Sequence, residues 1–184
     1  SGKSYIAKSF GFPVFNADLE VSKIYQKDKK IYNELSKKLP GYFTQFPIKK
    51  SEVSIAILAN KKNLKKIVKI VHKKIRKKMK DFLKKNKKKK IVILDIPLLL
   101  ENKINKKNDI LIFVEAKKSG IFKRLKKRKN FNKRLFYKFK NIQLPLDYKK
   151  KKSQYVIKND FTRKTVVNYV KNLLSKLDNE RNST

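Results

Sequence analysis

The chain of 184 residues has no cysteine and no tryptophan, a single histidine, one methionine, four glycines and five prolines. Without cysteine it forms no disulfide and offers no thiolate to a metal, which fits a cytoplasmic setting. A lone His72 excludes a multi-histidine metal centre built from this chain. No apolar run approaches the roughly 18 residues of a membrane span, and no signal-peptide pattern stands at the amino end. The expectation is a cytoplasmic chain with no membrane segment, long enough to bury a core as one compact unit with inserted subdomains.

Acidic residues are scarce beside basic ones, 14 against 52, for a formal charge of +38. Such a charge invites a polyanion-binding reading, because Lys and Arg neutralise phosphates and release counterions. Yet only six of the basic residues are Arg and 46 are Lys, and base-edge readout favours the planar Arg fork. Ile and Asn number 18 and 16, while Ala, Gly and Pro number 5, 4 and 5. Lys, Ile and Asn have A/T-rich codons, so an AT-rich genome filling solvated faces with Lys accounts for the charge. The lysines are also spread along the chain rather than gathered in a tail. Specific nucleic-acid binding is not expected.

The opening Ser1-Gly2-Lys3-Ser4 matches the second half of a phosphate-binding loop, G-x-x-x-x-G-K-[S/T]. In such a loop Gly2 lets the backbone approach phosphates, Lys3 reaches the β and γ oxygens, and the Ser4 hydroxyl can hold Mg²⁺. Tyr5 to Phe10 then begin a helix whose amino end faces the anion. A loop of this kind follows a buried strand, so roughly ten residues are expected ahead of Ser1. The polypeptide as written is expected to be poorly stable and to bind ATP weakly without them.

Further along, Phe12–Phe15 reads as a short strand leading into Asn16-Ala17-Asp18, with Asp18 placed to cap a helix containing Leu19, Val21, Ile24 and Tyr25. A second helical stretch runs to the Pro40-Gly41 turn, and Ser51–Ala59 is a third. Leu64, Ile67, Val68, Val71, Ile75, Met79, Phe82 and Leu83 recur at spacings of three and four, the stripe of a long amphipathic helix. Ile91–Leu94 followed by Asp95, and Ile110–Val114, read as parallel strands covered on both faces. Pro97–Glu101 is a turn opening a short helix. Ser119–Phe139 is a basic helical segment interrupted near Asn130–Asn132, Tyr155–Ile157 a last strand, Thr165–Leu177 a closing helix, and 178–184 a fraying tail. Strands alternating with helices predict an α/β fold with a parallel sheet and helices on both faces.

Ligands of open parallel sheets sit beyond the carboxyl ends of strands. Asp18 and Asp95 fall there. Together with the loop fragment and the hhhhD string at 91–95, they form a set suited to phosphoryl transfer. Each also has a structural reading: a helix cap for Asp18, an Asx turn for Asp95.

SGKS, Asn16-Ala17-Asp18, His72 in a helix, D-I-P-L-L-L-E at 95–101, R-x-x-x-R at 124–128 and Y-V-I-K-N at 155–159 resemble, in order and spacing, the dephospho-CoA kinases. The resemblance covers residues 1 to about 160. It implies a three-layer P-loop NTPase fold with a helical acceptor-binding insertion and a helical lid. The nucleotide-binding core would be 1–25, 89–116 and 146–184, the insertion 26–88 and the lid 117–145. The implied reaction is ATP-dependent phosphorylation of the ribose 3′-hydroxyl of dephospho-CoA, with Mg²⁺, ATP and dephospho-CoA as the partners. Asp18 and Lys3 would be catalytic. Ser1, Gly2, Lys3, Ser4, Tyr5, Arg124 and Arg128 would bind nucleotide. Asp18, His72, Leu98, Leu99 and Glu101 would bind acceptor, and Ser4 with Asp95 the metal. His72 also reads as a packing residue, and the two Arg as a solvated helix face. The chain departs from the family pattern at Asn16 (for Asp), Lys73 (for Pro), Ile121 (for Gln) and Ser153-Gln154 (for Ala-Asp). Two rivals remain: a nucleoside monophosphate or other small-molecule kinase on the same fold, and a basic nucleic-acid-binding protein in which SGKS is accidental.

Overall fold

The computed structural model describes residues 2–127 and 131–182. In chain order the elements are α1 (Lys3–Ser9), β1 (Val14–Asn16), α2 (Ala17–Lys27), α3 (Lys29–Lys38), α4 (Lys50–Ala59), α5 (Lys61–Lys85), β2 (Ile93–Asp95), β3 (Ile112–Glu115), α6 (Lys118–Lys126), α7 (Lys133–Asn141), α8 (Leu146–Lys151), β4 (Tyr155–Lys158) and α9 (Arg163–Asn182). It is an α/β chain with parallel strands and helical layers. Two compact units are present: one of residues 1–14, 98–131 and 140–184, the other of 15–97 and 132–139.

In the first unit β3 and β4 pair in parallel, Ile112 opposite Tyr155 through Glu115 opposite Lys158. The ladder is extended at both ends. Tyr155 N donates to Leu111 O and Asn159 N to Glu115 O. Ile157 is buried in the middle of β4, and α9 supplies buried Val166, Val170 and Leu173. α1 packs against α9, with Ile6, Ala7 and Phe10 buried. Spacings of four and three along α9 put its three buried residues on one face.

The second unit is mostly helical. Its core gathers Phe15 of β1, Ile24 and Tyr25 of α2, Ile31 and Leu35 of α3, Ala56 and Ile57 of α4, and Ile67, Ile70, Val71 and Ile75 of α5. Burying side chains of this size contributes about 1.5–3 kcal/mol each. The long helix is therefore the strut against which the shorter ones pack. Its polar contacts are specific. Asn60 caps α5 by accepting from Lys62 N at 2.8 Å. The buried Asn63 donates to the Ala56 carbonyl at 2.9 Å, tying α5 to α4. Lys74 and Lys78 of α5 pair with Asp28 at 2.8 Å and Glu20 at 2.9 Å. β1 pairs with β2, and Phe15 packs on Phe82 with ring centroids 5.6 Å apart.

Four expectations need correcting. Asp18 does not cap α2: Asn16 does, its side chain accepting from Leu19 N at 2.8 Å, and Asp18 lies in the first turn. The capping residue stands outside the helix with extended backbone, and Asn16 at φ −102° meets that condition. The segment after Pro97 forms turns rather than a helix, with Leu98 and Lys103 at positive φ, a conformation a right-handed helix does not admit. Residues 178–182 continue α9 instead of fraying, and Tyr155 Oη donates to the Glu180 carboxylate at 2.8 Å there. The strands are also shorter than the apolar runs suggest: Ile91 and Ile110 lie outside them.

Candidate functional site

On the first unit, Gly2 stands at φ 81°, ψ 17°, a left-handed geometry that glycine adopts without cost, directly before α1. Tyr5 N and Ile6 N donate to Gly2 O at 3.1 and 3.2 Å, so the first closed turn of α1 starts on that carbonyl. Lys3, Ser4 and Tyr5 are exposed while Ile6 and Ala7 are buried. The helix thus presents a cation and a hydroxyl at its amino end, where the backbone dipole favours an anion. Ser1 lies outside the described residues.

The loop after β4 packs directly on this end. A Cβ placed on Gly2 would meet Asn159 Nδ2 at 2.5 Å and Phe161 Cε1 at 3.7 Å. No side chain fits at position 2 in this packing. Asn159 is buried, and its Oδ1 accepts from Phe161 N at 2.9 Å. Arg124, on α6, lays its guanidinium over the Phe161 ring, 4.8 Å from the centroid. Its intended companion Arg128 lies outside the described residues.

Leu98, Leu99 and Glu101 occupy the turn segment of the same unit, all partly buried. Glu101 is an anchor: its carboxylate accepts from Leu144 N at 3.0 Å and pairs with Lys149 at 2.6 Å. Burial alone would raise the pKa of Glu101, but the bonds from Lys149 and the backbone outweigh it and hold the group ionised. Gln154, standing where the family has Asp, accepts from Leu111 N at 2.7 Å, tying the entries of β3 and β4 together. An amide oxygen serves that acceptor role as a carboxylate would.

On the second unit, Asn16 ends β1 and Asp95 ends β2, and Asp18 follows in the first turn of α2. Asp95 is buried and accepts from Asn16 Nδ2 at 2.6 Å. Asn16 therefore does two jobs, capping α2 with its oxygen and satisfying a buried carboxylate with its nitrogen. An aspartate there would face Asp95 without a proton to offer. Asp18 is exposed on the first turn of α2. His72 is half-buried in the middle of α5, which runs through Lys73 without a break. It lines an open groove of about 520 Å³ with Lys69, Lys73, Arg76, Lys77 and Lys80. Burial, and then the neighbouring Arg76 charge, push its pKa below the ordinary 6.5, so the ring is neutral at pH 7.

Ser4 in the first unit and Asp95 in the second each carry hard oxygen, and among the described residues no group of three or more His, Cys, Asp or Glu gathers. Oxygens of this kind suit Mg²⁺ arriving with substrate phosphates, which takes only one or two from protein, better than a resident all-protein site. Among the described residues no helix is long and apolar enough to cross a membrane. Sequence reasoning missed Asn159 and Phe161 as parts of the packing around Gly2. Asn159 carried a signal, closing a strand in the Y-V-I-K-N string; Phe161 looked like an ordinary loop aromatic.

The family model described as CoaE, dephospho-CoA kinase, matches residues 1–164. A dephospho-CoA kinase of Wolbachia pipientis wMel is 32% identical over 182 residues, covering 96% of this chain and 93% of that protein. One from Bartonella henselae is 29% identical, covering 94% and 93%. Among solved structures, TT1252 from Thermus thermophilus superposes with a TM-score of 0.73 at 20% identity, covering 96% of this chain and 92% of the other. A Campylobacter jejuni dephospho-CoA kinase gives 0.55 at 22% identity, covering 94% and 88%. At those identities the structural matches establish the shared fold.

Proposed function

The chain belongs to the dephospho-CoA kinase family, and we propose how its residues divide that family's reaction. The activity is ATP-dependent phosphorylation of the ribose 3′-hydroxyl of dephospho-CoA, giving coenzyme A. Lys3 sets its ammonium against the β and γ phosphate oxygens, with Gly2, Ser4 and Tyr5 at the same helix end, and Ser1 belongs to the same nucleotide-binding set. Ser4 and Asp95 would hold Mg²⁺, which would neutralise phosphate charge and orient the γ-phosphoryl group. Asp18 accepts the proton of the 3′-hydroxyl as its oxygen attacks the γ-phosphorus. The bond to the β–γ bridging oxygen breaks and ADP leaves. Arg124 and Arg128 stabilise charge on the transferring group, in the manner of a closing lid.

Acceptor binding falls to the helical insertion at 26–88, with His72 and the cations of its groove suited to phosphate, and to the segment of Leu98, Leu99 and Glu101. The nucleotide core is 1–25, 89–116 and 146–184, and the lid is 117–145. The protein works in the cytoplasm with ATP and dephospho-CoA as its partners and no specific nucleic acid. The observation that most supports this division is Gly2 in the left-handed region opening α1, with Lys3 and Ser4 exposed at its amino end.

Asp18→Asn tests the base. Turnover should fall by at least about 10²-fold, the range that loss of a general base produces, while ATP binding stays near the parent value. Turnover within about threefold of the parent removes Asp18 from proton transfer.

A further inference from the structure

Phe161 is the least expected residue of the nucleotide-side unit. Its φ of 70° lies in the left-handed region, where a bulky L-residue is a rare outlier and persists only when its surroundings over-determine it. The surroundings do so here. Asn159 Oδ1 accepts from Phe161 N at 2.9 Å. Asp160 Oδ1 then accepts from Thr162 N at 2.8 Å, and its Oδ2 from Thr165 Oγ1 at 2.8 Å. The loop is thereby latched to the start of α9, and the ring lies against Gly120 of α6.

Gly120 makes room for that ring. A Cβ on Gly120 of α6 would stand 2.6 Å from Phe161 Cε2, so α6 approaches the ring as closely as bare backbone permits. On the other side Phe161 Cε1 lies 3.7 Å from where a Cβ on Gly2 would stand, an ordinary contact distance. Arg124 is one turn beyond Gly120 on the same helical face, and its guanidinium covers the ring at 4.8 Å. The ring therefore spans the phosphate-loop glycine, the α6 backbone and the Arg124 guanidinium. The choice of Arg is telling in a chain with 46 Lys and six Arg, because a planar guanidinium stacks on a ring and a hydrated ammonium does so poorly.

We propose that Phe161 is a positioning residue for phosphoryl transfer: its ring holds the Arg124 guanidinium in a fixed place relative to the Gly2 loop. An exposed arginine otherwise samples many rotamers and must be ordered at each turnover. The ring supplies that order in advance, as pre-organised charge stabilisation requires. The backbone strain at Phe161 is what turns the ring into this position. The inference rests on the reading of Arg124 as a group acting on the transferring phosphoryl, and the test separates the two.

Steady-state kinetics and melting temperatures are measured for Phe161→Gly, Phe161→Leu, Phe161→Tyr, Arg124→Ala and the Arg124→Ala/Phe161→Gly double variant. Glycine takes φ 70° freely, so the loop conformation survives the first change. The expected result is a kcat about tenfold lower for Phe161→Gly and Phe161→Leu, with KM for dephospho-CoA little altered. Phe161→Tyr, which keeps the ring face, stays near the parent, and Phe161→Gly adds nothing further on the Arg124→Ala background. Three results overturn the proposal: full kcat in Phe161→Gly, full kcat in Phe161→Leu, or an equal further loss on the Arg124→Ala background. If Arg124→Ala lowers kcat while the Phe161 variants are silent, the positioning role alone fails. If Arg124→Ala is silent, the reading of Arg124 and the positioning role fall together.

Discussion

Asn16 shows how a departure from a family pattern can be compatible with local chemistry. Its amide oxygen starts α2 and its amide nitrogen meets the buried Asp95 carboxylate. Asn16→Asp would keep the cap but set two carboxylates against each other at hydrogen-bond distance, a pair that cannot both ionise cheaply. In metal-free buffer at pH 8 this variant should be less stable by about 1–3 kcal/mol, the usual penalty for a buried polar contact turned repulsive. The deficit should shrink as pH falls and the pair shares a proton. Urea unfolding at pH 8 and pH 5 checks this, and equal deficits at both would contradict it. From sequence the substitution reads only as a lost carboxylate. The partner lies 79 positions away, and no local pattern announces a contact of that span. Phe161 was illegible for a different reason: its backbone conformation is imposed by Asn159 and Asp160 after the chain has folded. Lys3, Ser4 and Asp18 stand out as candidates from sequence because each sits in a short motif.

Among the elements, the long helix α5 was legible from its three-four spacing, and the described helix extends that stripe by only a few residues at each end. Short strands were read less well, since an apolar run does not say how much of it pairs. The contacts that join elements were not legible at all. Asp28 ends α2, caps α3 by accepting from Ile31 N at 3.2 Å, and pairs with Lys74 of α5. The Lys74 hydrogen bond holds its carboxyl below the ordinary 3.8, against a smaller opposing effect of burial. A carboxyl whose folded pKa is depressed contributes stability above its unfolded value, and that stability is lost as pH falls through the folded value. Asp28→Ala should therefore destabilise the helical unit by about 1–2 kcal/mol at pH 7, as loss of a helix cap does. The difference from the parent should shrink in acid, well below pH 3.8, as the ionic part is lost. Denaturant titrations by circular dichroism at pH 7 and near pH 2.5 measure it. A gap that persists unchanged in acid would refute the ionic part of the account.

For the whole molecule, a charge of +38 describes the surface more than the function. Of the α5 lysines, Lys74 and Lys78 are paired inside the unit, while Lys69, Lys73, Lys77, Lys80 and Arg76 line an open groove. Such a surface attracts any polyanion. Nucleic-acid binding should be non-specific and should collapse between about 50 and about 200 mM salt, as counterion release dictates. A salt-resistant, sequence-selective complex in a gel-shift titration would contradict this. The fold class followed from alternation of strand-like and helix-like segments, whereas the acceptor followed from the resemblance carried by P-L-L-L-E and the surrounding motifs. The most direct test is therefore of the acceptor. ATP turnover is measured with dephospho-CoA, with its 3′-deoxy analogue and with nucleoside monophosphates, and the product identified by mass and by position of phosphorylation. The account predicts ADP formation that depends on dephospho-CoA, matches coenzyme A formed one for one, and is absent with the 3′-deoxy analogue. ADP formation indifferent to dephospho-CoA, or a nucleoside monophosphate preferred as acceptor, would contradict it.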